Sequence, residues 1–207
     1  MEVFYLANKS ENIYFTILGD CTTESKEIDE KDEEIKKTGI YEIEKLNKKY
    51  PKEGVPRFNF LYRKRVWNKR EGCYLGWERK RGLLTELNNF LIKETENKKH
   101  VPNTFIINTM QEYIGKEDLD IKYIITLDAD TNLTLNSGIE LIEAMAHPLN
   151  KPVVDEKQNA VVEGFGVIQP RVGIELEASF QSKFTEIFAG DRRRRLIYKC
   201  NFWYISR

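Results

Sequence analysis

Apolar positions along the chain change their period several times, and each change predicts an element. Val3 to Ala7 and Ile13 to Leu18 are short runs of β-branched and aromatic residues, so both predict strands. The second run closes in Gly19-Asp20. Residues 24 to 50 carry Ile28, Ile35, Ile43 and Leu46 as sparse apolar positions among charges, which predicts a helix interrupted at Gly39 and ended by Pro51. Phe58, Phe60 and Tyr62 alternate with other residues and predict a strand exposed on one side. Leu83, Leu84, Leu87, Phe90 and Leu91 recur with helical spacing and give one apolar stripe. Beyond a polar break over residues 97 to 102, Thr104 to Ile107 and Tyr123 to Leu127 predict strands, the second apolar enough to be central. Residues 136 to 147 predict a helix capped by Asn136 or Ser137, Ala160 to Gln169 a strand, and Glu175 to Ala189 a last helix.

Strands alternating with helices predict an α/β sheet with parallel character, and such sheets collect ligands at the carboxyl ends of their strands. The stretch KYIITLDADTNLTL, residues 122 to 135, acquires meaning from this. Its apolar run ends in Asp128 and Asp130 with only Ala129 between them. Two carboxylates so spaced can share a hard divalent cation, and that cation can bridge a diphosphate and neutralise the charge of a leaving group. Asp20 would stand at a second strand end. The plain alternative is that Asp128 caps a turn and Asp130 faces solvent. A phosphatase of the haloacid dehalogenase type also places DxD after an apolar strand, but it requires Thr or Val two residues beyond the second Asp. Asn132 occupies that position here, and several elements precede the motif.

Composition narrows the class further. The chain has 207 residues, 41% of them hydrophobic, which suits a globular domain with its own core. Basic and acidic residues balance at 33 each, so no global field points to nucleic acid or to a membrane. The charges are nevertheless segregated: residues 24 to 36 are mostly acidic, residues 57 to 81 strongly basic, and Arg192 to Arg195 form a basic run. The basic stretch, with Arg63, Lys64, Arg65, Arg79, Lys80 and Arg81, is either a solvated face or a phosphate-facing element. Trp67 and Trp77 within it either stack on a sugar or pack. Cys21, Cys73 and Cys200 lie far apart without a CxxC pair, so they read as free thiols in a reducing, cytoplasmic compartment. No apolar run approaches the length of a membrane span. Gly164 and Gly166 mark a bulge in the strand predicted around them, and His147 before Pro148 reads as a helix-end residue.

Four further stretches carry a resemblance: VFYLANKSENIYFTILGD, RVWNKREGCYLGWERKRGLLTELN, EAMAHPLNKPVVDEKQNAVVEGFGVIQPRV and SFQSKFTEIFAGD. Together with the DAD they resemble the glycosyltransferase domain of cyclic β-1,2-glucan synthases, from about residue 2 to residue 191. These are large bacterial inner-membrane enzymes that polymerise glucose from UDP-glucose. The resemblance implies a GT-A-like, mainly parallel nucleotide-binding sheet with flanking helices, and a divalent cofactor, Mg²⁺ or Mn²⁺. Residue by residue, it implies that Asp20 contacts the uridine part and that Lys80 and Arg81 lie near the diphosphate. It further implies that Asp128 faces the sugar nucleotide, that Asp130 with Asp128 ligates the metal, and that Arg171 lies near the acceptor or donor sugar.

Departures from the family pattern shape the remaining expectations. The general base that activates the acceptor hydroxyl would be an Asp well beyond the DAD, yet Asp191 is the last acid and no such pattern follows it. No catalytic residue is therefore identified. The first nucleotide-binding strand would lie before Met1. The tail RRRRLIYKCNFWYISR does not continue the family pattern. One permitted codon set for Tyr198 to Arg207, read one base later, spells Ile-Asn-Ala-Ile-Ser-Gly-Ile-Tyr-Gln, close to the expected continuation. Residues 1 to 191 are thus expected to be a partial glycosyltransferase domain, and 192 to 207 an out-of-frame or disordered tail. The intact parent is expected to transfer glucose from UDP-glucose to a β-glucan acceptor at the cytoplasmic face of the inner membrane. The piece alone is expected to be cytoplasmic and inactive; the alternative is a stand-alone UDP-sugar-binding module.

Overall fold

The computed structural model describes residues 1–27, 29–92, 103–113, 120–158 and 160–170, and the backbone of Asn201–Tyr204. It is a mixed α/β chain of small sheets and a few helices, and it divides into two compact units. Of the described residues, the first comprises Met1–Tyr5 and those from Ser10 to Ile121; the second comprises Leu6–Lys9 and those from Lys122 onward.

The first unit is built on a strand–helix–strand crossover. Strand β1 (Phe15–Asp20) leads through α2 (Glu30–Lys49) to β2 (Phe58–Arg63), which pairs parallel to β1 with Asp20 opposite Arg63. Helix α2 begins in a capping box, in which Asp29 accepts from the Lys31 N–H and Asp32 accepts from the Asp29 N–H. It runs unbroken through Gly39, contrary to the predicted interruption. A β-carbon there would come within 2.5 Å of the Phe60 ring, so this glycine lets the helix lie against β2. Lys49 is the last helical residue and Pro51 follows the cap at Tyr50, as expected.

Strand β2 was expected to expose one side, yet all six of its residues are buried. Phe58, Phe60 and Tyr62 pack with Ile43 and Leu46 of α2 on one face. Leu61 packs on the other face with Val55, Met110 and Leu87, the last from α3 (Arg79–Leu91). The alternation in the sequence was real, but a helix covers each side. The sheet order is β1-β2-β5, where β5 (Phe105–Asn108) pairs antiparallel to β2. A hairpin of β3 (Val66–Asn68) and β4 (Cys73–Leu75) joins β2 to α3.

The opening run is helical, not a strand: α1 spans Glu2–Ala7. Periodicity cannot separate helix from strand in so short a run, and packing decides. Tyr5 meets Tyr50 at 4.9 Å and Phe58 at 5.6 Å between ring centroids, while Glu2 binds Lys49 at 2.7 Å.

In the second unit, β6 (Tyr123–Thr126) pairs antiparallel with β10 (Asn201–Tyr204), which also pairs with β9 (Val167–Ile168). Strands β7 (Val153–Asp155) and β8 (Ala160–Glu163) form a separate hairpin. The single strand predicted over Ala160 to Gln169 is thus split, because Gly164 takes a left-handed φ of 70° against the Lys151 carbonyl. Helix α4 (Ser137–Ala146) follows the expected range, and His147 ends it, its Nδ1 accepting from the Leu149 N–H at 3.3 Å. The expectation of a mainly parallel sheet needs correction: among the described residues only β1 and β2 pair in parallel. A helical crossover is what makes a pair parallel, and among the described residues only α2 supplies one. The predicted break over residues 97 to 102 and the predicted helix Glu175 to Ala189 lie outside the described residues.

Candidate functional site

At the carboxyl ends of β1 and β2, Arg63 is wholly buried and all five of its N–H donors are used. Its Nε and Nη2 grip the two oxygens of Asp20 at 3.1 and 2.6 Å, a bidentate pair. Nη1 donates to the Trp77 carbonyl at 2.8 Å and to Glu86 Oε1 at 3.2 Å, and Nη2 also donates to the Arg79 carbonyl at 2.8 Å. Glu86, buried within the leucine stripe of α3, accepts in turn from the Thr104 N–H at 2.9 Å.

This clamp shapes the entry to α3. Glu78 and Arg79 both have positive φ, 46° and 51°, which costs a non-glycine residue about 1–3 kcal/mol. The bonds from Arg63 to the carbonyls of Trp77 and Arg79 hold that conformation. Two glycines make the close approach possible: a β-carbon at Gly76 would collide with the Asp20 carboxylate, and one at Gly82 with the Trp77 carbonyl.

A second buried pair lies two residues on. Arg65 binds Asp32 through both Nη atoms, with Nη2 at 2.9 Å from Oδ1, and its Nε donates to the Thr22 carbonyl at 2.7 Å. Tyr62 donates its hydroxyl to Asp32 at 3.1 Å. Burial pushes the Asp32 carboxyl up, but hydrogen bonds from Arg65, the Asp29 backbone and Tyr62, with the charge of Arg65, hold it below the ordinary carboxylate range. Burial is the main cause that raises the Cys21 thiol, whose Sγ donates to the Arg63 carbonyl at 3.0 Å, and the Tyr62 hydroxyl.

The second unit presents a different kind of strand end. Beyond β6 the chain turns through Asp128-Ala129-Asp130, with the Asp128 carbonyl accepting from the Thr131 N–H at 3.0 Å, and all three residues are exposed. The segment leaving the turn is anchored a few residues on. Leu133 is buried, and the Asn136 N–H donates to the Ala7 carbonyl at 2.8 Å. Asn136 makes no side-chain cap for α4, contrary to expectation, because its φ of 58° turns it away from capping geometry. Asn8 does the work from a distance: its Oδ1 accepts from the Gly138 N–H at 2.8 Å and its Nδ2 donates to the Thr134 carbonyl at 3.2 Å.

The expected site residues therefore fall into separate groups. Asp20 and the start of α3 converge through Arg63. Lys80 and Arg81 are exposed on the first turn of α3, with Arg81 Nη2 paired to Glu78 at 2.6 Å. Asp128 and Asp130 share the β6 turn in the other unit, and Arg171 lies outside the described residues. Among the described residues there is no group of three or more His, Cys, Asp or Glu side chains that could hold a metal. The DAD pair still fits a hard divalent ion by donor chemistry, since Mg²⁺ is commonly held by one or two carboxylates with substrate phosphates and water. Sequence reasoning placed Arg63 in a solvated or phosphate-facing basic stretch, where the structure buries it, and missed Glu86 and Asn8. The available signals were Glu86 inside an apolar stripe and Arg63 in phase with Leu61.

No family model matches the chain. Among curated proteins it matches a glucan synthase. The relative is cyclic beta-(1,2)-glucan synthase NdvB of Rhizobium meliloti (strain 1021), 35% identical over 193 residues and covering 93% of this chain. The chain belongs to the cyclic β-(1,2)-glucan synthase family and spans 6% of the length of that relative. Among the described residues, no helix is long and apolar enough to cross a membrane.

Proposed function

We propose that the chain forms much of the donor-binding half of a GT-A-type glycosyltransferase domain, whose full enzyme transfers glucose from UDP-glucose to the 2-hydroxyl of a growing β-1,2-glucan. The observation that carries this reading is the exposed DAD turn at the end of β6, in a chain 35% identical over 93% of its length to a glucan synthase. Asp130, with Asp128, would hold Mg²⁺ or Mn²⁺. Such a cation, when bound, supplies positive charge to the departing diphosphate. Asp128 faces the sugar nucleotide, Asp20 the uridine, Lys80 and Arg81 the diphosphate, and Arg171 a sugar. The Arg63 clamp fixes Asp20 and the first turn of α3 on one rigid frame, which serves orientation. The chain on its own binds the donor without transferring it, because no acceptor-activating base is assigned in it. In the parent enzyme this binding takes place at the cytoplasmic face of the inner membrane.

Isothermal titration of the purified chain with UDP-glucose and Mn²⁺ tests the reading. One saturable site that UDP also fills is the expected result, with no release of UDP over hours. Absence of binding by either nucleotide, with Mn²⁺ or Mg²⁺, would remove it.

A further inference from the structure

The hairpin β3–β4 carries a feature that donor binding does not use. Trp67 is 48% exposed although it sits opposite Tyr74 in the ladder, and the two rings lie 5.0 Å apart at 62°. Val66 beside it is also exposed. A single exposed apolar side chain is ordinary, but this is a ring pair on a backbone fixed from both sides. Tyr74 pairs with Trp67 across the hairpin, and on its other edge it exchanges hydrogen bonds with Glu24 at 2.8 and 2.9 Å. The hairpin tip is closed by Asn68, whose Oδ1 accepts from the Arg70 N–H at 2.9 Å and whose carbonyl accepts from the Gly72 N–H at 2.9 Å. The aromatic surface is therefore preorganised, and little entropy is lost when a ligand settles on it.

The chemistry of the surface decides what kind of ligand suits it. The sequence stretch around the hairpin is rich in basic residues, and among the described residues the structure pairs four of its arginines with carboxylates but shows no ion pair for Lys69 or Arg70 at the hairpin tip. Arg79 binds Glu71 at 2.7 Å, Arg81 binds Glu78, Arg63 binds Asp20 and Glu86, and Arg65 binds Asp32. An exposed aromatic face with the side chains of Lys69 and Arg70 close by in sequence favours a ligand that has an apolar face and a polar rim able to accept hydrogen bonds. A pyranose ring has that form: its C–H face stacks on an indole and its hydroxyls reach outward. The exposed Arg79–Glu71 pair, which links the start of α3 to the hairpin turn, supplies polar partners at the rim.

We propose that Trp67 and Tyr74 form a stacking platform for a glucose ring of the glucan acceptor, a subsite that rests on the glucosyl-transfer reading above. The platform engages the neutral glucan and not the uracil of the donor.

The test uses the full chain and a β-(1,2)-linked glucose trisaccharide. The indole N–H resonance that disappears in Trp67→Phe identifies Trp67 in the NMR spectrum. The trisaccharide is expected to shift it saturably, and uridine is expected to leave it in place. Trp67→Ala is expected to weaken trisaccharide binding about tenfold or more, while Trp67→Phe keeps most of it. Trp67 is exposed, so near-ultraviolet circular dichroism of β2 and its packing partners should persist in both variants. Equal trisaccharide affinity in Trp67→Ala would overturn the platform. A wild-type chain that binds UDP with Mn²⁺ but gives no trisaccharide shift would also overturn it, while leaving the donor reading intact. A shift caused by uridine would reassign the rings to the nucleobase. Failure to bind either ligand would remove the donor reading and the platform with it.

Discussion

The two acid-bearing strand ends of this chain could hardly differ more in what surrounds them. At the end of β1, Asp20 faces an arginine that is wholly buried and whose every donor is engaged. At the end of β6, Asp128 and Asp130 stand exposed on a turn that is anchored only further along the chain. An acid at a strand end is thus not one kind of feature. Where a buried cation meets it, the acid is first of all part of the scaffold, because removing one partner leaves the other charge without compensation in a poor solvent for it. Where it is exposed beside a second acid, it stands at the surface, where a ligand can reach it.

That contrast can be broken most severely at Arg63. Arg63→Met leaves Glu86 and Asp20 without their cation and releases the carbonyls of Trp77 and Arg79. We expect a loss of about 3–5 kcal/mol in urea unfolding. Gly76→Ala probes the same clamp from above: the new methyl group collides with the Asp20 carboxylate, and a loss of about 1–3 kcal/mol is expected by the same measurement. A chain that accepted either change without cost would show that the clamp is not what holds the entry to α3.

The neighbouring pair sharpens the contrast through pH. Folding lowers the Asp32 carboxyl from its ordinary value of 3.8, so the folded chain holds that proton less tightly than the unfolded one. Its stabilisation is complete above that ordinary value and is lost as pH falls from there through the lower folded value. Asp32→Asn should therefore be less stable than the wild type at neutral pH. Its stability should also fall less steeply as pH drops below about 4, as followed by unfolding midpoints across an acid series. Parallel acid limbs in the two proteins would exclude Asp32 as the source.

Much of this was legible in the sequence. The leucine stripe of α3, the stop at Pro51, the strand ending in Asp20 and the DAD after an apolar strand all follow from spacing alone. The misreadings share a physical cause: they concern residues whose state is set by what covers them. Phe58 to Arg63 alternates like a half-exposed strand, yet helices cover both faces, so Arg63 and Asn59 are buried where spacing placed them in solvent. The basic stretch over residues 57 to 81 reads as one positive face, yet Arg57, Arg63 and Arg65 are matched by carboxylates distant in sequence, Glu11, Asp20 and Asp32. Gly39 reads as a helix breaker, and only the Phe60 ring beneath it shows why it is tolerated. The cap of α4 comes from Asn8, more than a hundred residues earlier, which no local pattern could announce.

The smallest structural effect belongs to the open turn, and it is where the account is most exposed. Asp130→Asn should shift the unfolding free energy by no more than about 0.5 kcal/mol, as surface substitutions generally do. Titration of UDP with Mn²⁺ into this variant beside the wild type is the most direct measurement of the central claim. The variant is expected to lose metal-dependent UDP binding while its unfolding midpoint stays in place. Undiminished binding by Asp130→Asn, at an unchanged midpoint, would contradict that claim.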